Sequence, residues 1–323
     1  MYSIDMMFYK YNWERSGVIL PSNLSKTAQG ALLVFISAFM YATLPIFTKL
    51  AYRYGLSPSV AIFYRYFLAF IILSVYLGLK KERVLLPSVK VFSQGLFLIA
   101  GSVFYFYSLQ YIAASTGSII FFTHPIIVAV LAVLIYKEKI NAPLAAGLLL
   151  AMLGIILVSG VLGSSANVTT AGVLLAGISS ICYACFALLG QKNITQASPL
   201  ALTANFALLG TLIIPVIFFR SFDFIVTLTF VQFMICLAMA LFNTVLSISL
   251  YLKGMQKIGA SRAALISSLE PVLTVFLAML ILHETLSPLE IFGAILVLVS
   301  LYLAIISHRP GPQEEAASAL PGK

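Results

Sequence analysis

Ten apolar runs, each about the length of one bilayer crossing, leave this chain few ways to fold. They lie at roughly 28–49, 58–79, 91–111, 114–136, 142–161, 171–191, 199–219, 229–252, 260–282 and 288–307. A spanning helix needs about 20 mostly apolar residues, because a rise of about 1.5 Å per residue then matches a hydrocarbon core about 30 Å thick. That core holds no water to satisfy backbone N–H and C=O groups, and a helix pairs them within one segment. The expected fold class is an all-α integral membrane protein with ten transmembrane helices. The breaks carry the matching chemistry: Ser57-Pro58, Ser198-Pro199 and Ser287-Pro288 put proline in a first turn, where its missing N–H costs least.

Composition removes the main competing classes. Hydrophobic residues make up 61% of the chain and charged residues 9%, against about 25% charged in soluble domains. A net charge of +9 raises the question of nucleic acid, but the lysines and arginines sit in short gaps between apolar runs and form no basic stripe. Their distribution reads as topology, and no nucleic-acid partner is expected. Fifteen fall on the N-terminal side of a ten-crossing layout and three on the other, with Arg65 inside the second run. Both termini are therefore expected in the cytoplasm, in a multi-pass protein of the cytoplasmic (inner) membrane. Residues 1–27 contain no continuous apolar stretch of the signal-peptide kind and read as a cytoplasmic N-terminal segment. Residues 308–323 read as a disordered cytoplasmic tail. Cys182 and Cys185 stand one helical turn apart among small and apolar residues, so packing is preferred over redox chemistry.

The chain also repeats itself. Ala114-Ser115, Pro125, Leu131-Ala132 and Glu138 recur 146 residues later as Ala260-Ser261, Pro271, Leu277-Ala278 and Glu284. Gly30-Ala31-Leu32-Leu33 and Tyr41-Ala42 recur 142 residues later as Gly172-Val173-Leu174-Leu175 and Tyr183-Ala184. Two five-helix halves result, 28–161 and 171–307. An odd number of crossings per half forces the second half to lie upside down relative to the first. Inverted repeats of this kind are common in secondary transporters, whose substrate sites lie near the midplane at the repeat interface.

The paired pattern of Thr123-His124-Pro125-Ile126 with Lys137-Glu138-Lys139, and of Leu269-Glu270-Pro271-Val272 with His283-Glu284-Thr285, is followed in each half by an early glycine, Gly147 or Gly293. It resembles the EamA-type branch of the drug/metabolite transporter superfamily, and the resemblance spans both halves. It implies export or exchange of a small metabolite, such as an amino acid or related amphipathic compound, across the membrane. No cofactor and no metal are expected.

Several residues are candidates for the site. Pro125 and Pro271 each remove a helical hydrogen bond about 15–18 Å from their helix starts, near the expected midplane, and read as hinges. The alternative is that proline is simply tolerated in membrane helices. Glu270 leads the substrate or coupling candidates, because a charged carboxylate at this depth costs at least about 2.5–3.5 kcal/mol unless it is protonated, paired or facing water. It could exchange a proton or hold a substrate ammonium. His124 stands at the equivalent place and changes charge near neutral pH. The two are expected to face one central cavity, or else to form a hydrogen-bonded pair that staples their helices together. Tyr41 with Tyr183, and Tyr105 with Tyr251, occupy matching positions suited to lining a cavity, with packing or an interfacial belt as the alternative. Asn243 and Thr244 have only Phe97 and Leu98 as counterparts, so they stand either for asymmetric substrate contacts or for interhelical hydrogen bonds.

Arg65, seven residues into its run and matched by Phe206, reads as an anchor reaching the outer surface, with ligand binding as the alternative. Glu138 and Glu284 read as caps or gates. Gly147, Ala151 and Gly154 make a close-approach face for helix packing or a homodimer contact. Two other functions compete with metabolite transport: flipping of a lipid-linked intermediate, and an intramembrane enzyme. No His-Glu-x-x-His, Gly-x-Ser-x-Gly or Walker-type loop is present, which disfavours enzymatic or ATP-driven action.

Overall fold

The structure, a computed structural model, describes residues 25–86, 88–124, 126–128, 130–131, 142–158, 169–193, 198–219, 228–258, 263, 266–267 and 269–307. Its helices are α1 (Lys26–Ala42), α2 (Leu44–Arg53), α3 (Pro58–Leu79), α4 (Val89–Ser108), α5 (Ala114–Phe121) and α6 (Ala142–Val158). They continue with α7 (Thr170–Asn193), α8 (Pro199–Ile217), α9 (Phe230–Ala240), α10 (Ser247–Ile258), α11 (Glu270–Leu277) and α12 (Pro288–Ser307). A π-helical segment, Leu241–Leu246, joins α9 to α10, and another, Ala278–Leu282, extends α11. The terminal segments, Pro125 and Glu138 lie outside the described residues.

The helix starts follow from their capping chemistry. Ser57 and Ser198 accept hydrogen bonds from the backbone of Val60 (3.4 Å) and Ala201 (3.2 Å), with Pro58 and Pro199 in the first turn. Thr229 and Gln232 form a reciprocal capping box at the start of α9. These side chains satisfy donors that a helix N-terminus leaves unpaired. Among the described residues there is no strand, and six helices are long and apolar enough to cross a membrane: Thr27–Arg53, Pro58–Leu79, Val89–Ser108, Thr170–Leu189, Pro199–Ile217 and Phe230–Met255. Four shorter apolar helices, Ala114–Val128, Ala145–Gly154, Glu270–Leu282 and Ile291–Ser300, fall within the remaining four runs.

Lipid is as apolar as leucine, so close packing and interhelical hydrogen bonds hold such helices together. The broadest contacts pair α1 with α10, α3 with α8, α4 with α7 and α6 with α12, and α5 also meets α11. Small residues sit at two of these crossings. A Cβ on Gly254 would lie 2.8 Å from the Gly30 carbonyl oxygen, and one on Gly154 would lie 2.8 Å from that of Gly293. Gly154 of the expected close-approach face is thus used within the chain, against α12. Buried hydroxyls fasten the same pairs: Ser179 Oγ donates to the Gly101 carbonyl (2.7 Å) and Ser37 Oγ to that of Ser247 (2.8 Å). Each such bond contributes about 0.6 kcal/mol on average in a membrane setting. Leu79 and Val89, 81% and 84% exposed, show the apolar surface of a multi-pass membrane protein.

Candidate functional site

Breaks in the helices create the site. α5 stops at Phe121, the chain turns through Phe122 and Thr123, and His124 re-enters a helix. Proline at 125 offers no N–H to the Phe121 carbonyl four residues earlier. His124 Nδ1 lies 3.1 Å from that oxygen; since a carbonyl only accepts, this contact requires a proton on Nδ1. In the other half Leu269 forms a turn and Glu270 opens α11, followed by Pro271. The Glu270 side chain thus starts at a helix N-terminus, where partial positive charge favours a carboxylate.

Two more breaks face these. α1 gives way to α2 at Thr43, with Pro45 in the first turn of α2 and Thr43 Oγ1 bonded to the Met40 carbonyl at 2.6 Å. The π segment before α10 carries Asn243, whose Nδ2 donates to the same carbonyl (2.5 Å) and to Thr43 Oγ1 (2.8 Å). One irregular turn therefore holds another in place, and π segments recur at functional positions.

Between the breaks lies a cavity of about 40 Å³, room for a few waters. Its polar lining comes from Glu270 of α11, Arg65 of α3, Tyr41 of α1, Ser102 and Tyr105 of α4 and Tyr183 of α7, with Phe121 beside them. The Glu270 carboxyl is within electrostatic range of Tyr41, Tyr105 and Tyr183, and also of Tyr251.

The sequence-derived candidates divide around this space. Glu270, Tyr41, Tyr105 and Tyr183 line it together. His124 does not. Its ring packs 4.5 Å from that of Tyr183, 5.2 Å from Phe121 and 5.1 Å from Phe122, so cavity-lining aromatic side chains separate it from Glu270. His124 and Glu270, expected to face one cavity, are not brought together in this lining. Tyr251, matched to Tyr105 by sequence, packs instead with Val34, Ile258 and Ala263 and is absent from the lining. Asn243 is spent on the α1–α2 break, and its Oδ1 has no partner among the described residues. Pro271 is buried next to Glu270, whereas Pro125 lies outside the described residues.

Arg65 is the residue that sequence reasoning placed wrongly. Instead of reaching a surface it is 3% exposed and lines the cavity. Its Nε donates to Thr244 Oγ1 at 2.9 Å, and its guanidinium lies 5.2 Å from the Tyr66 ring and 5.7 Å from the Phe106 ring. Depth along a helix was readable; the face on which the residue stands was not. Thr244, polar where its counterpart is Leu98, was the available signal.

A second space of about 450 Å³ opens where α2 and α4 end, lined by Lys49, Tyr52, Arg53, Gln110 and Glu284 among others. Here Glu284 joins the two halves. Its Oε1 accepts from the Ala114 N–H (2.8 Å), and its Oε2 accepts from the Ser115 N–H (3.1 Å) and hydroxyl (2.7 Å). The carboxylate thus caps α5 from the far end of the other half. An apolar cluster of Ala42, Ile46, Ala114, Leu277, Ala278 and Leu282 packs next to this contact. α2 runs from the cavity at Leu44 and Pro45 to the vestibule at Lys49 and Tyr52, so Ile46 of that cluster stands between the two spaces.

The model of the EamA-like transporter family matches the chain twice, over residues 28–160 and 170–306. The chain is 28% identical to the uncharacterized transporter YyaM of Bacillus subtilis over 84% of its own length and 92% of the relative's. It is 26% identical to the uncharacterized transporter YetK of the same organism, over 95% of this chain and 94% of that one. An uncharacterized transporter of Archaeoglobus fulgidus is 27% identical over 80% and 93% of the two chains. One solved crystal structure shares the fold at a TM-score of 0.64 and 15% identity, covering 86% of this chain and 96% of that protein. With most of its length matched in two consecutive stretches, this chain belongs to the EamA-like transporter family.

Proposed function

We propose that this protein is a secondary transporter that moves a small amphipathic metabolite, an amino acid or related compound, outward across the cytoplasmic membrane by alternating access. Both termini lie in the cytoplasm, and residues 28–161 and 171–307 form two inverted five-helix repeats. The helix pairing supports that symmetry. Exchanging the halves turns the α1–α10 pair into the α7–α4 pair and leaves α3–α8, α5–α11 and α6–α12 unchanged.

The observation that carries the reading is the position of Glu270 at a break between α11 and the chain before it, on a cavity lined from several helices. Irregular backbone within a membrane is tolerated where it is buried in protein or lines a cavity, and broken helices of transporters carry their substrate sites. Glu270 is the group that holds a substrate ammonium or exchanges a proton during the cycle. The apolar cluster between cavity and vestibule serves as the closed side of the pathway.

The test is counterflow of labelled L-amino acids and related amines into proteoliposomes preloaded with the unlabelled compound. Exchange above that of empty liposomes for one chemical class supports the reading and names the class. Background exchange across the panel, with protein shown to be folded, overturns it.

A further inference from the structure

Arg65 has no role in the reading above, and its setting is costly without one. A guanidinium keeps its charge at all physiological pH values, and burying it is tolerated only where its donors are met. Among the described residues Nε donates to Thr244 Oγ1 at 2.9 Å, and the buried Nη1 has no hydrogen-bond partner. The rings of Tyr66 and Phe106 hold the plane of the group at 5.2 and 5.7 Å. They offer the charge a favourable π face but no acceptor. Glu270 lines the same cavity, and among the described residues no ion pair joins the two.

We propose that Arg65 is the anion-binding group of the cavity and takes the carboxylate of a small zwitterion whose ammonium meets Glu270. This assignment rests on the transporter reading and names the charge pattern of its substrate. Three observations lead to it. The guanidinium is oriented from behind by Thr244, which leaves its outer nitrogens for a planar two-oxygen acceptor. One guanidinium and one carboxyl line one space, so a ligand with one charge of each sign neutralises both, whereas a dianionic phosphate would meet Glu270 unfavourably. The remaining lining, from Tyr41, Tyr105 and Tyr183, supplies hydroxyls and ring faces for an amphipathic body. The half-to-half asymmetry fits as well. The counterpart of Arg65 is Phe206, a buried ring packed on Phe186, so a single cationic subsite results and the substrate has one orientation.

The experiment is thermal-shift titration of the purified full-length protein in detergent. Twenty L-amino acids are screened first. The one with the largest shift is then compared with its decarboxylated amine and its deaminated acid, on wild type, Arg65→Gln, Arg65→Lys and Thr244→Val. Wild type is expected to bind the zwitterion at least about tenfold more tightly than the amine, the range of one charge-assisted contact. Arg65→Gln erases that preference while still binding the amine, Arg65→Lys keeps part of it, and Thr244→Val weakens it because the fork is no longer held. Binding of the amine by Arg65→Gln also shows that the variant is folded. An unchanged preference in Arg65→Gln overturns the proposal, as does the absence of any shift across the wild-type panel. Counterflow of the same labelled amino acid separates the two readings. Exchange without an Arg65-dependent preference leaves the transporter and removes the subsite; an Arg65-dependent preference without exchange does the reverse.

Discussion

His124-Pro125 and Glu270-Pro271 stand 146 residues apart in matching sequence, yet the imidazole is packed among Tyr183, Phe121 and Phe122 while the carboxyl lines a cavity. The backbone solution is shared: each helix is interrupted beside its proline. The side-chain solution is not. In the first half the proline-freed Phe121 carbonyl is taken up by the imidazole, and aromatic rings pack around it. In the second half no hydrogen bond to the Glu270 side chain is present among the described residues, and the break stays open to the cavity. Duplication thus supplied two equivalent helix breaks, and divergence packed one among aromatic rings and left the other on the cavity lining.

Exchanging the two groups breaks the comparison most severely. His124→Glu combined with Glu270→His is expected to abolish counterflow and to destabilise the protein by about 2.5–3.5 kcal/mol or more, because a carboxylate at 124 would be buried among rings without a partner. The melting temperature and exchange rate of the double variant check this; wild-type-like transport would show the two positions to be interchangeable.

Removing the ring packed on His124 is the next test. Tyr183→Ala deletes a partly buried side chain that lines the cavity, a loss below the roughly 3 kcal/mol of a fully buried ring. It should make His124 reactive toward diethylpyrocarbonate, read by mass spectrometry at that residue, where wild type is protected. Equal modification of both proteins would place His124 in contact with water already.

A smaller effect is expected at Glu284. Its three hydrogen bonds to Ala114 and Ser115 tie the end of the second half to the first-half helix that carries the His124 break. Glu284→Ala should cost about 1–3 kcal/mol, and Glu284→Gln less, since one acceptor oxygen remains. In a background lacking Cys182, Cys185 and Cys236, a Ser102→Cys label on the cavity wall should react faster with an impermeant maleimide once Glu284 is replaced. Unchanged labelling would show that this contact does not restrict access.

These contrasts also mark how far the sequence could be read. Helix starts were legible because apolar length and Ser-Pro caps are local signals: the run expected at 58–79 is α3, Pro58–Leu79, and that at 288–307 is α12, Pro288–Ser307. The break at Thr43 and the π segment at Leu241–Leu246 were not, since each is held by Asn243 reaching across about 200 residues of chain. Glu270, which lines the cavity, stood out in the sequence because a carboxylate in an apolar run is costly wherever it points. The buried setting of Arg65 was missed and Tyr251 was left between lining and packing, because both depend on which way the helix face turns. Equal spacing paired Tyr251 with Tyr105, yet one packs against α1 and the other lines the cavity.

The central claim is that the two halves differ in function at these two positions, and side-by-side counterflow by Glu270→Gln and His124→Gln tests it most directly. Both substitutions keep side-chain size and hydrogen-bonding capacity while removing ionisation. The account predicts background exchange for Glu270→Gln and exchange within about twofold of wild type for His124→Gln, a difference of less than about 0.5 kcal/mol in the barrier. Loss of exchange in His124→Gln with retention in Glu270→Gln, or equal loss in both, would contradict it.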